Sequence, residues 1–296
     1  DLWGRIQRAS DAARVDILAA EESRRGVILS LVSSVAQGYI GLRSLDAQLE
    51  VAIGKLRTRQ DSLELFQRRF ERGVISELEL AQVRSELERT AAGIPAIERD
   101  IARLENALSI LLGRPPGPIE RGLALDELAM PPVPGGLPAQ MLGRRPDLRE
   151  AELRLMAATE QVGVATADFY PRVSLAAALG LASDDLSRIT RSSAGTSQIA
   201  AGLTAPLFTG GLLRSRLEQA EAVERQAIEG FQRAFLTALL ESEDALVTRA
   251  TTIREVAAQR RQTEALARSA ELARARYDNG YVGYLEVLDA ERDLFD

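Results

Sequence analysis

Between residues 5 and 72 apolar positions recur every three or four residues and no proline interrupts them. Leu31, Val35, Gly38, Leu42, Leu45, Leu49, Ala52, Leu56, Arg59, Leu63, Phe66 and Phe70 share one heptad register, and nine of the twelve are Leu, Val or Phe. That pattern predicts a coiled-coil helix, roughly 100 Å long at 1.5 Å per residue. Gly73 ends it, as glycine does at many helix C-termini. Ser76 suits an N-cap, with Glu77 and Glu79 at the positive end of the next helix dipole. The second helix is predicted to reach about Leu112, with a break or kink at Pro95. Residues 114–138 hold seven of the eleven prolines, which predicts a connector with little regular structure. A helix from about Pro146 to Ala167 follows, with proline suited to its first turn.

The period then changes from helical to alternating. In residues 172–182, Val173, Leu175, Ala177, Leu179 and Leu181 take one face, and Ser174, Ala176, Ala178 and Gly180 the other. Residues 197–208 repeat this, with Ile199, Ala201, Leu203, Ala205 and Leu207 against Gln198, Ala200, Gly202, Thr204 and Pro206. A polar joint, 183–196, links the two predicted strands. One apolar side and one small or polar side suit a transmembrane barrel hairpin. They equally suit a hairpin packed on a soluble core, and the pattern alone leaves both open.

After Gly210 and Gly211 the helical pattern resumes and runs to Asn279 without proline. Gly4 to Gly73 spans 69 positions, and so does Gly211 to Gly280. At a constant offset of 207, Phe70 matches Tyr277, Leu78 matches Leu285, Glu79 matches Glu286 and Leu87 matches Leu294. An ungapped match of this kind indicates internal duplication. The seam is not copied: its second version holds Ala238, Ser242, Ala245, Arg249, Gln259, Ala270 and Ala273, which permit closer helix approach or another partner. The repeating unit is thus strand, helix of about seventy residues, glycine corner and returning helix. The fold class expected is mainly α with a β-hairpin, built on long antiparallel coiled-coil helical hairpins.

Composition narrows the chemistry. The chain has 296 residues, a formal net charge of −6 and 4% aromatic residues. Its mild acidity gives no electrostatic case for nucleic acid. Cysteine and histidine are absent, which removes disulfides, thiolate or imidazole metal sites and Cys- or His-based catalysis. No group of acids has a spacing that suggests catalysis, no phosphate loop occurs, and no cofactor or metal is implied, so an enzyme is not expected. No unbroken apolar run reaches the ~18 residues of a membrane-spanning helix. The sequence opens at DLWGR, with no signal peptide before it, and stops at LFD inside a helical pattern. It is expected to be a piece of a longer protein.

The order of segments resembles the TolC-like outer-membrane factors, especially the OprM/NodT-type lipoprotein branch of multidrug efflux systems. The residues that carry the likeness are DLWGRIQR, LLGRPPG, GLPAQMLGRRPDLREAELRLMAATEQVGVATADFYPRVSLAAALG, PLFTGG and RYDNGYVGYLEVLDAER. The resemblance in order and spacing covers essentially the whole chain. The resemblance implies a homotrimer whose protomers share a transmembrane β-barrel in the outer membrane of a Gram-negative bacterium and a long α-helical barrel in the periplasm. Residues 1–113 would form the first helical hairpin, with its tip near 73–76. Residues 114–145 would form a connector in an equatorial belt, 146–170 a helix leading to the barrel, and 171–209 a hairpin of that barrel with its polar loop outside. Residues 210–296 would form a second, truncated hairpin with its tip near 280–283. The family's first strand pair and its lipid-bearing cysteine would lie outside the sequence.

The same resemblance implies partners and sites. Partners would be outer-membrane lipid, a periplasmic adaptor (membrane fusion) protein and an inner-membrane pump. Leu285 and Asp289 would ring a periplasmic gate, with Arg292 as partner for the acid; by spacing alone, Asp289 and Arg292 are equally a solvated i, i+3 pair. Gly73, Val74, Ile75, Gly280, Tyr281 and Val282 would meet the adaptor, or simply cap helices. Tyr277 and Tyr281 flank the second corner, and Arg144, Arg145 and Asp147 read as structural. The function implied is the exit duct of a tripartite efflux pump, passing drugs or other small molecules. A type I secretion duct is a further possibility, as is a periplasmic adaptor or other coiled-coil scaffold, although an adaptor would usually have a single hairpin.

Overall fold

The computed structural model describes residues 1–129, 142–182, 184, 189, 190, 192 and 195–295. The described residues form helices α1 (Arg5–Glu71), α2 (Glu77–Leu111), α3 (Pro146–Ala167), α4 (Leu212–Asp278) and α5 (Tyr284–Phe295). Strands β1 (Arg172–Leu181) and β2 (Gly195–Thr204) lie between α3 and α4, and a 3-10 turn spans Leu125–Glu127. The mainly α chain with one β-hairpin expected from the pattern is the chain that forms. α1 and α4 each have 67 residues, as two copies of one unit should. From Val35 to Phe66 every position of the α1 seam is buried or half-buried, whereas Leu31 and Phe70 beyond its ends are 41% and 39% exposed.

Three expectations need correction. α2 runs unbroken through Pro95; the proline is exposed, so its ring points away from the packed side while the helix continues. β2 begins at Gly195 and ends at Thr204, earlier at both ends than the 197–208 expected. Pro206 has no N–H to donate to a ladder, which ends the strand before it. α1 also contains one 18-residue window of mean hydropathy 1.2 and is long and apolar enough to cross a membrane by length and composition alone. That window admits polar residues, whereas the sequence expectation counted unbroken apolar runs. Residues 130–141 of the connector and most of the loop 183–196 lie outside the described residues.

The chain divides into two compact units. The first comprises Asp1–Val27 and Gly135–Glu243. Here β1 and β2 pair antiparallel with Val173 opposite Leu203, Leu175 opposite Ala201 and Ala177 opposite Ile199. The register puts the apolar positions of both strands on one face and the small or polar ones on the other. At the hairpin base the Trp3 indole N–H donates to the Pro171 carbonyl at 2.7 Å, and its ring stacks on Tyr170. Arg145 pairs with Asp147 at 2.7 Å, also pairs with Glu241, and donates to the Ala238 carbonyl at 3.4 Å. That tethers the start of α3 to α4, so Arg145 and Asp147 are structural. The hydrogen bond and charge of Arg145 hold the Asp147 carboxyl below its usual range, outweighing burial.

The second unit comprises Ile28–Pro134 and Asp244–Asp296. Leu42, Leu108 and Ile119 form one core cluster in it. Gly38 lets α2 approach closely there, since a Cβ at this position would meet Leu108 Cδ2 at 2.8 Å. The connector is tied to the same place. Arg121 pairs with Asp46 at 3.0 Å and with Glu105, while the Gly122 N–H donates to the Tyr39 hydroxyl at 2.7 Å.

Candidate functional site at the helix corners

The two corners share one hydrogen-bond pattern. Gly73 N–H donates to Phe70 O at 2.8 Å and Val74 N–H to Arg69 O at 2.9 Å. At the second corner Gly280 N–H donates to Tyr277 O at 2.9 Å and Tyr281 N–H to Arg276 O at 3.0 Å. Both glycines have left-handed φ, +71° and +74°, as this helix stop requires. The following starts differ. Ser76 and Glu79 close a reciprocal capping box, whereas Gly283 has no side chain to cap with and Glu286 instead pairs with Arg276 at 2.6 Å.

Beneath the corners Phe66, Val83, Ala273, Tyr284, Val287 and Leu288 make the second core cluster, with Ile75 and Tyr277 packed against it. Tyr284 is the largest side chain buried there; its ring lies 4.4 Å from that of Phe66 and 5.5 Å from that of Tyr277. Burial pushes both tyrosine hydroxyls up from their usual value. The core explains how a helix as short as α5 holds its place, since twelve residues are marginal alone.

The expected gate residues split between two environments. Leu285 is 55% exposed and the Asp289 side chain 62% exposed, both on the outward face of α5. Arg292 lies 3.7 Å from Asp289, within ion-pair distance. Its shorter contacts are to Glu86 on α2, including an Nε–H bond at 3.1 Å. The Glu86 side chain is only 5% exposed and also meets Arg89 at 3.3 Å. Burial by itself would raise the Glu86 carboxyl; the Arg292 hydrogen bond and the charges of Arg292, Arg89 and Arg59 together hold it below its ordinary value of 4.5. A second link runs from Arg59 on α1 to Glu291, which Arg274 also reaches at 3.3 Å. Of the tip residues, Val74 and Tyr281 project outward, with 68% and 77% exposure, while Ile75 and Val282 are half-buried.

Sequence reasoning did not find the Glu86–Arg292 and Arg59–Glu291 links. One signal was visible, a charged residue, Arg59, inside an apolar seam. Its partner lies 232 positions away, beyond the reach of local spacing. The exposed acid and leucine and the two outward tip side chains present both polar and apolar groups to solvent at the helix ends, and no group of three or more His, Cys, Asp or Glu side chains able to hold a metal occurs among the described residues.

Comparison with known proteins bears on what that surface serves. Residues 1–114 and 137–296 match the family model described as outer membrane efflux protein. The chain is 36% identical over its whole length to the cation efflux system protein CusC of Escherichia coli K12, covering 65% of that protein. It is also 36% identical over its whole length to the solvent efflux pump outer membrane protein SrpC of Pseudomonas putida, covering 63%. A crystal structure of CusC superposes with a TM-score of 0.91 at 36% identity, over all of this chain and 69% of that one. The chain spans about 64% of the length of the first curated relatives it matches.

Proposed function

Because the chain belongs to the outer membrane efflux protein family, we propose that it is part of a passive exit duct, a trimer that carries small molecules across the outer membrane for a tripartite pump. Family membership places the protein in the outer membrane, with its helical part in the periplasm. The observation that carries the channel reading is the hairpin register, which gathers the apolar residues of both strands on one face and the small or polar ones on the other. Each strand has ten residues, about 33 Å of chain, which at a tilt near 45° crosses about 23 Å of the ~25 Å apolar band of such barrels. The apolar face meets lipid and the small face meets water.

No chemistry is performed on the substrate; energy comes from an inner-membrane pump, reached through a periplasmic adaptor. One relative is named for cation efflux and another, equally similar, for solvent efflux. A duct this tolerant leaves the choice of compound to its pump. Val74 and Tyr281, outward at equivalent positions of the two corners, offer the adaptor an apolar contact on each tip, together with Gly73, Ile75, Gly280 and Val282. Leu285 and Asp289 line the periplasmic aperture. Three copies of Asp289 near a threefold axis repel one another and attract cations, while Arg292, held by Glu86, supplies partial compensation.

Expression of the complete gene in a drug-sensitive Gram-negative strain tests this. A heat-modifiable trimer in the outer membrane, with restored tolerance when the matching pump and adaptor are present, is expected. A soluble monomer would overturn the proposal.

A further inference from the structure

Three helices of the second unit meet around a cavity of about 380 Å³, lined by Lys55 and Arg59 of α1, Arg274 of α4, and Glu291 and Phe295 of α5. Lys55 and Arg59 are four positions apart and so share one helix face. Arg59 is only 3% exposed. Its Nη1 is on Glu291, while its Nη2 has no hydrogen-bond partner among the described residues. The Tyr284 hydroxyl is the one other buried side-chain atom among them in that condition, and it is neutral. A guanidinium Nη2 carries two N–H groups and part of a positive charge. Leaving such a donor unmet when buried costs more than an ordinary hydrogen bond is worth, so an acceptor in the cavity that Arg59 lines is strongly favoured.

Charge decides what kind of acceptor. Glu291 already takes the Arg59 contact and one at 3.3 Å from Arg274. Glu271 also lines the cavity, but its side chain is 69% exposed and pairs with Arg268 at 2.6 Å. The Lys55 ammonium lies 4.6 Å from the Phe295 ring centroid, a cation–π contact that holds it on the α5 side. Three cations against Glu291 leave an excess of two positive charges, or of one with Glu271 counted. That sign repels metal ions and attracts anions.

We propose that this cavity binds a small tetrahedral oxyanion, inorganic phosphate or sulfate, between Lys55, Arg59 and Arg274, and that the bound anion clamps α5 to α1 and α4. A tetrahedral oxyanion presents acceptors in several directions, which suits donors carried by different helices. Chloride has no pair of oxygens to match the guanidinium fork. Glu291 positions both guanidinium groups and Phe295 positions Lys55, so the site is complete only with α5 docked. An anion that binds the docked state alone stabilises it by linkage. Ordinary salt acts the other way, because it screens ion pairs. On the channel reading above, α5 also carries Leu285 and Asp289, so clamping it opposes widening of the aperture.

Amide hydrogen exchange of the 284–295 segment, read in the purified complete protein at fixed pH and ionic strength, tests the site without reference to conduction. Replacing chloride with phosphate or sulfate should raise protection saturably, by about 10-fold once the anion is tenfold above its half-saturating concentration. Lys55→Gln and Arg274→Gln should each raise that half-saturating concentration about 10-fold, the effect of losing one charged hydrogen bond. Arg268→Gln, which removes a cation of α4 outside the cavity lining, should leave it unchanged. Each variant is compared with itself in chloride, so a change in resting stability cancels. Phosphate acting no differently from chloride overturns the site, and so does equal half-saturation in Lys55→Gln and the unaltered protein. The consequence for the aperture rests on the channel reading and is read separately, as a fall in planar-bilayer conductance when phosphate replaces chloride on the periplasmic side. Protection by phosphate without that fall upholds the site and overturns instead the aperture role of α5.

Discussion

Removing either end of the Glu86–Arg292 link should loosen α5, and the two ends should not be equal. Arg292 is 36% exposed and Glu86 only 5%. In Glu86→Gln the freed guanidinium can turn to water, and Asp289 is 3.7 Å away to receive it; the expected cost is about 1 kcal/mol, that of a modest charged hydrogen bond. In Arg292→Met the carboxylate stays in its buried place with Arg89 as its nearest remaining cation. Leaving a buried charge short of a partner costs more, about 2–3 kcal/mol after allowing for Arg89. Amide hydrogen exchange of the 284–295 segment in the membrane-inserted protein reads this directly, because local opening sets its protection. At 1.36 kcal/mol per tenfold, protection should fall about 5-fold in Glu86→Gln and about 30- to 150-fold in Arg292→Met. The pH dependence has a definite sign. The Glu86 carboxyl is held below 4.5 in the fold, so its contribution is fully present above 4.5 and is lost as pH falls through the depressed folded value. After correction for intrinsic exchange, protection should be flat from neutral pH to about 5 and decline below 4.5, a decline absent from Glu86→Gln. Equal loss in the two variants, or greater loss in Glu86→Gln, would refute the reasoning.

Other positions make independent claims. Gly38→Ala should place a methyl against Leu108, where a Cβ would sit 2.8 Å from Cδ2, costing about 1–3 kcal/mol of overpacking; unaltered thermal unfolding of the purified protein would show that Leu108 moves aside. Gly280→Ala forces an alanine to φ +74° at about 1 kcal/mol, with nothing nearby to clash, so exchange at the corner should rise while trimer yield holds. Asp289→Ala should raise single-channel conductance in planar bilayers and reduce cation block, while unchanged conductance would return Asp289 to a solvated surface role. Leu175→Asp, on the apolar face of β1, should cut outer-membrane insertion, and Ala176→Asp on the opposite face should do so far less; equal effects would mean that the hairpin does not separate lipid from water.

How far the sequence could be read depended on the range of the forces involved. The corners were legible because a left-handed glycine, a cap and a hydrophobic period act within a few residues, and the 207-position offset made each corner evidence for the other. The strand faces were legible because period two is local, whereas the end of β2 depended on where Pro206 withdrew a donor from a partner strand. The site was only half legible. Spacing placed Asp289 and Arg292 on neighbouring positions of one helix and suggested that they pair with each other. In the fold, Arg292 turns mainly to Glu86, on another helix of the same unit. The same helix periodicity that brings Asp289 near Arg292 also sends Arg292 toward the core and Asp289 toward water. An exposed acid whose cation is largely committed elsewhere keeps most of its negative field. That gives Asp289 a stronger claim to an electrostatic role at the aperture than an isolated surface pair would have.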